Sequence, residues 1–246
     1  MRYFITFSYD GSKYNGYQKQ PGIKTIQGEL EKALKKINSN KAVKVSASGR
    51  TDAGVHALNQ KAHFDLTKEL ETEKLRLSLN SLIPNDIYVK DVQLVSNDFH
   101  ARFNVKAKEY IYKINMGEYN PIEKDYIYQY CKKLDVISIE RAMKYLEGTH
   151  DFKSFTKAEE DYEDTIRTIV QTKVIRDVKN VNQIVLSFLG TGFLRYMVRN
   201  MVGFLLEIGE GKRKCEDVIT VLEAKNRCEA GKTANPEGLY LKDVFY

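Results

Sequence analysis

The chain has 246 residues, 42% of them hydrophobic and 11% aromatic, with 39 Lys and Arg against 33 Asp and Glu and a net charge of +6. That length and composition predict a globular α+β protein of one large domain or two smaller ones and argue against long disorder, while the positive excess suits a polyanionic partner such as nucleic acid. Three cysteines without a C-x-x-C spacing, four scattered histidines and no apolar run of membrane length argue against a disulfide framework, a structural zinc site and a membrane span, and predict a soluble chain in a reducing cytoplasm.

The opening residues alternate as a strand, with Tyr3, Ile5, Phe7 and Tyr9 on one face and Arg2, Phe4, Thr6 and Ser8 on the other. A loop rich in Gly, Tyr, Lys and Gln follows. Thr25 is then a fitting cap for a helix whose stripe is Ile26, Leu30, Ala33, Leu34 and Ile37. "VKVSASG" and "ALNQKAHFDL" read as strands, the second with Leu58, Gln60, Ala62 and Phe64 on one face. A helix over 72–82 stopped by Pro84 and a strand over 86–95 complete the first half.

The second half repeats the rhythm. "KEYIYKIN" is a strand, Ser138 caps a helix with stripe Ile139, Ala142, Met143 and Leu146, and Gly148 takes the C′ position. "RTIVQTKVIRDV" and "QIVLSFLG" form a hairpin across 179–183. A long helix over about 193–208, a shorter one at "EDVITVLEA" and a closing strand at "LYLKDVFY" finish the chain. Hairpins among interleaved helices predict mixed, mostly antiparallel sheets. The repetition predicts two α/β subdomains, 1–104 and 105–246, related by a pseudo-twofold with a cleft between them.

Three stretches carry candidate chemistry. Between Lys32 and Phe64 stand seven basic side chains, and Asp52 in "GRTDAGVHA" is the only acid. A tight loop in which Asp52 caps a turn is one reading. A phosphate loop is rejected, because no Lys-Ser or Lys-Thr follows and no helix begins there. The chemical reading is a single ionised nucleophile or base, held charged by a nearby cation and by loop amides. In "GFLRYMVRNMVG", Arg195 and Arg199 are spaced to share a helix face; they are either surface charges and phosphate contacts, or one is buried and needs an acid partner. In "ARFNVKAKEYIY", Tyr110 and Tyr112 either pack on a sheet face or offer a ring to a nucleobase, with Arg102, Lys106 and Lys108 gripping phosphates. Basic and aromatic residues also interleave at Lys13, Tyr14, Tyr17 and Lys19. Three such stretches together predict an RNA partner.

Along nearly the whole chain, "YDGSKYNGYQKQPGIKTIQGELEKAL", "SGRTDAGVHA", "FHARFNVKAKEYIY", "FTKAEED", "FLRYMVRNMVG" and "ANPEGLYL" stand in order. Taken together they resemble the tRNA pseudouridine synthase A (TruA) family. The resemblance implies two ferredoxin- or RRM-like subdomains joined across a basic cleft, a homodimer, no metal and no cofactor. It implies conversion of uridine to pseudouridine in the anticodon stem-loop of tRNA, at nucleotides 38, 39 and 40. Carried over motif by motif, Asp52 matches the catalytic aspartate and Arg50 a residue that holds the flipped nucleotide. Tyr110 matches the stacking tyrosine, Arg199 the arginine that pairs with the aspartate, and Leu239 a residue of the pocket wall. Tyr17, Lys19 and Arg102 are further expected substrate contacts. Two departures bear on which RNA is chosen: Tyr17 stands where the family usually has tryptophan, and Asn235 precedes Pro236 in place of alanine. Another RNA, such as ribosomal RNA, or a non-catalytic RNA-binding module on the same fold are the alternative readings.

Overall fold

A computed structural model describes residues 1–157, 163–178 and 180–246, in two compact units. Residues 158–161 of "FTKAEED" and residue 179 of the expected hairpin turn lie outside the described residues.

The first unit comprises Met1–Lys106 and Tyr240–Tyr246. Its elements are β1 (Arg2–Tyr9), α1 (Ile26–Ile37), β2 (Ser46–Ala47), β3 (His56–Asp65), α2 (Thr72–Leu82) and β4 (Ile87–Val95), the βαββαβ order of a ferredoxin-like module. β1 lies between β4 and β3 and is antiparallel to both. The far edge of β3 takes two partners: β2 runs antiparallel to it at Ala62 and His63, and the closing strand β10 (Leu239–Phe245) runs parallel to it at His56 and Ala57. Tyr3, Ile5 and Phe7 are fully buried, and the stripes Ile26, Leu30, Ala33, Leu34 of α1 and Leu75, Leu79 of α2 supply their buried counterpart. The Thr25 side chain caps α1 by accepting from the Gly28 amide, as its sequence position predicts.

The second unit, Ala107–Leu239, holds β5 (Ala107–Asn115), β6 (Tyr128–Gln129), α3 (Val136–Lys144), β7 (Gly148–Asp151), β8 (Ile166–Arg176), β9 (Gln183–Gly190), α4 (Met197–Gly209) and α5 (Asp217–Ala224). β5, β9, β8 and β7 are neighbours in that order, each antiparallel to the next. Helix α4 is the core of the unit: Met197, Val198, Met201, Val202, Phe204, Leu205, Leu206 and Ile208 are all buried.

Six expectations are corrected in detail. The closing strand groups with the first unit, because its pairing partner is β3. "VKVSASG" shortens to a strand at Ser46 and Ala47, with one more backbone bond from the Ser48 amide to the Lys61 carbonyl at 2.8 Å. Leu58 leaves the face of Gln60, because β3 carries an extra residue opposite β1 between the pairs Phe7–Gln60 and Tyr9–Ala57; that bulge reverses the phase and leaves Leu58 exposed. Helix α3 starts earlier than Ser138: Asp135 is the cap, accepting from the amides of Ile137 and Ser138, and the Ser138 hydroxyl donates to Asp135 at 2.7 Å. Gly148, at φ +106°, opens β7 and lies beyond the Tyr145 cap of α3. Finally, α4 begins at Met197, since Tyr196 sits in the left-handed region at φ 64° and cannot continue a helix from Phe193. Arg195 therefore precedes the helix and shares no helical face with Arg199.

Candidate active site

In the first unit, Asp52 rides on the connection from β2 to β3, a segment without regular backbone pairing of its own. Its geometry is set from outside. The Thr51 carbonyl accepts from the Tyr17 amide at 3.0 Å, the Gly54 amide donates to the Tyr14 carbonyl at 3.3 Å, and the Val55 amide donates to the Asp52 carbonyl at 3.2 Å. Gly16 lets the 11–17 loop approach this closely: a Cβ there, at φ +86°, would sit 2.8 Å from the Thr51 carbonyl oxygen.

Beneath the loop lies a buried polar layer. The Tyr9 hydroxyl is 2.9 Å from Thr51 Oγ1. Gln60, wholly buried, donates through Nε2 to the Gly49 carbonyl at 3.1 Å and accepts at Oε1 from the Ser48 hydroxyl at 2.6 Å. His56, also buried, accepts at Nδ1 from the Gly11 amide at 3.1 Å and stacks on Tyr240 with ring centroids 4.6 Å apart. Burial pushes the Tyr9 phenol up to about 12, so it remains a neutral hydroxyl through neutral pH. The Asp52 side chain is partly exposed and Arg50 is exposed. The loop thus presents one carboxylate on a backbone whose carbonyls at Thr51 and Asp52 are both hydrogen-bonded.

In the second unit, Tyr110 lies on β5 opposite Phe188 of β9, buried, with the Phe193 ring edge-on at 5.0 Å. Two residues on, Tyr112 is fully buried and donates its hydroxyl to the Asn235 carbonyl at 2.7 Å; desolvation raises its phenol well above the usual range. Arg199 stands on the first turn of α4. Its Nε donates to the Ala234 carbonyl at 2.8 Å, and the Ala234 amide donates back to the Arg199 carbonyl at 3.0 Å. Its guanidinium carbon lies 4.9 Å from the centre of the Tyr196 ring, and that of Arg195 5.5 Å. Leu239, buried, follows a turn closed by its amide on the Pro236 carbonyl at 2.9 Å. One turn into α4, buried Asn200 donates to the carbonyls of Phe155 and Thr156 and accepts from Thr233 and Arg227.

A family model described as tRNA pseudouridine synthase matches residues 5–104 and 142–246. A tRNA pseudouridine synthase A of Geobacillus sp. (strain WCH70) is 46% identical over 98% of this chain and 96% of its own length. The tRNA pseudouridine synthases A of Anoxybacillus flavithermus and Latilactobacillus sakei are each 44% identical, over 98% and 100% of this chain and 97% and 98% of theirs. The chain belongs to the tRNA pseudouridine synthase A family. A solved H/ACA RNP bound to a substrate RNA containing 2'-deoxyuridine aligns at a TM-score of 0.35 and 13% identity, over 83% of this chain and 44% of that one, too slight a likeness to bear on the fold.

Among the contacts expected of a tRNA pseudouridine synthase A, the first unit holds Asp52, Arg50, Tyr17, Lys19 and Arg102, and the second holds Tyr110, Arg199 and Leu239. Tyr17, expected to face substrate, is instead 2% exposed, and its ring lies 6.5 Å from that of Tyr9. Its hydroxyl is buried with no hydrogen-bond partner among the described residues. Tyr17 is therefore a wall of the loop's support. Lys19 lies on the surface in an ion pair with Glu31 at 2.9 Å, and Arg102 is exposed beside a turn in which His100 Nδ1 accepts from the Arg102 amide. Sequence reasoning passed over the layer of Tyr9, Gln60 and His56. Its signal was present: Gln60 is a polar residue on the otherwise apolar face of a strand, and a buried amide needs partners.

Proposed function

We propose that this protein converts uridine to pseudouridine in the anticodon stem-loop of tRNA, at nucleotides 38, 39 and 40, with Asp52 as the catalytic carboxylate. Family membership makes it an isomerase of tRNA uridine. The observation that carries the residue assignment is the lone carboxylate of Asp52 on a loop fixed by its neighbours, in a stretch with seven bases and no other acid.

The reaction breaks the bond from uracil N1 to ribose C1′ and forms one from C5 to C1′. The C5 proton is lost and N1 gains one, so no outside reactant is consumed and no cofactor is required. A carboxylate serves this by attacking the sugar or base, or by taking a ribose proton, and it must be ionised to do so. Enclosure beside a nucleotide would favour the neutral acid, and Arg199 is the proposed opposing charge. Because C1′ is shielded in a stacked stem, the nucleotide flips out, and the Tyr110 ring offsets part of that cost, at about 1–3 kcal/mol per stacked base. Arg50 holds the flipped nucleotide, and Lys19 and Arg102 act on phosphates, where charge gives affinity without reading sequence. The active form in this reading is a cytoplasmic homodimer.

The test is to treat unmodified tRNA transcripts with the purified protein and map pseudouridine by reverse-transcription stops after carbodiimide treatment. Stops at nucleotides 38–40 are expected. Modification confined to other positions or to ribosomal RNA, or bound tRNA left unmodified, would overturn the assignment.

A further inference from the structure

The 49–54 connection has no regular hydrogen-bond ladder, yet a reacting carboxylate must be held to within a fraction of an ångström of its working position. Backbone bonds at Thr51 and Val55 fix the carbonyls on either side of the Asp52 side chain. What fixes the Thr51 side chain is Tyr9. The two hydroxyl oxygens are 2.9 Å apart, Tyr9 is 4% exposed and Thr51 9%. Gln60 Nε2 approaches the Tyr9 oxygen at 3.5 Å while donating to Gly49 at 3.1 Å. The Tyr9 and Thr51 hydroxyls share one hydrogen bond, and the Gln60 amide closes on the Tyr9 oxygen from the other side. Gln60 thereby grips the loop at two points, directly at Gly49 and through Tyr9 at Thr51.

We infer that Tyr9 and Gln60 are positioning residues for the Asp52 carboxylate, acting through Thr51 and Gly49. The inference rests on the proposed role of Asp52. A phenylalanine at position 9 would fill the same apolar face of β1 without a polar atom to satisfy, so packing alone does not require the hydroxyl. Its bond reaches the residue next to Asp52, and the neighbouring Gln60 bonds reach the loop's start. The polar layer is therefore aimed at the segment that carries the carboxylate.

The experiment is single-turnover release of tritium from an anticodon stem-loop labelled at uridine C5, with the dissociation constant of the same RNA measured by filter binding. Tyr9→Phe and Thr51→Val should each slow the single turnover by about tenfold or more, since small misplacements of reacting groups carry losses of that order. The dissociation constant should stay within about twofold. The double variant should be no slower than either single one, because both remove the same bond. Thr51→Ser, which keeps the hydroxyl, should return most of the rate. Single variants as fast as the unaltered protein, losses that multiply in the double variant, or losses that appear in binding would overturn the inference. If Thr51→Val does not fold, the contrast between Tyr9→Phe and Thr51→Ser decides: a slow first and a fast second support it, and equal rates refute it. An active Asp52→Asn protein overturns this inference and the functional reading together. A fast Tyr9→Phe protein beside an inactive Asp52→Asn protein overturns the inference alone.

Discussion

The Asp52 loop and helix α4 each carry a candidate catalytic residue, and they are held by opposite means. Around α4 the fixing force is burial: eight apolar side chains are enclosed, and the backbone bonds of the helix are its own. Arg199 is further placed by the Ala234 carbonyl and the Tyr196 ring. The Asp52 loop has almost no apolar anchor and depends on a handful of hydrogen bonds from β1, β3 and the 11–17 loop. A net hydrogen bond is worth about 1 kcal/mol. The helix is therefore robust in position and sensitive in stability, and the loop is the reverse.

The sharpest break of that contrast on the helix side is Gly203→Ala. A Cβ at Gly203 would sit only 1.7 Å from the Lys232 carbonyl oxygen, a clash with backbone that no rotamer relieves. Loss of about 3 kcal/mol or more is expected in denaturant unfolding. Next is Asn200→Ala, which removes one partner each from the carbonyls of Phe155 and Thr156, the Thr233 hydroxyl and the Arg227 guanidinium. It should cost about 2–4 kcal/mol in the same measurement. The smallest effect belongs under the loop. Tyr17→Phe deletes a buried hydroxyl that has no partner among the described residues and keeps the ring. Stability should stay level or rise by about 1 kcal/mol, with turnover within about twofold, because nothing is lost but a desolvated polar group. A large loss of turnover would mean that this hydroxyl meets the RNA after all.

Where side-chain period and chemistry agreed, the sequence was sufficient. The alternation of β1, the Thr25 cap and stripe of α1, and the span of α2 are visible in the residues, because each is a local choice matched by burial. The errors fall where a distant partner decides. "FLRYMVRN" has helical spacing throughout, yet Tyr196 takes a left-handed backbone flanked by two guanidinia. The bulge that turns Leu58 outward depends on how β3 registers against β1. Two-residue β6 and four-residue β7 are too short to show a period at all. At the candidate site the charged and aromatic residues were legible because their types are unusual for their places. The supporting layer was not, since Tyr9 and Gln60 meet at the loop only through the pairing of β1 with β3, and His56 meets Gly11 and Tyr240 from distant parts of the sequence. Tyr17 was misjudged because a tyrosine in a glycine-rich loop looks exposed, and only packing beside Tyr9 reveals it as buried.

The most direct test of the whole account is single-turnover tritium release with Asp52→Asn, a change that keeps the side chain's shape and removes its charge. The variant should unfold at the same denaturant concentration as the unaltered protein, bind the anticodon stem-loop with a dissociation constant within a fewfold of it, and release no tritium. Release at a rate comparable to the unaltered protein, from a folded Asp52→Asn chain, would contradict the claim that this carboxylate does the chemistry.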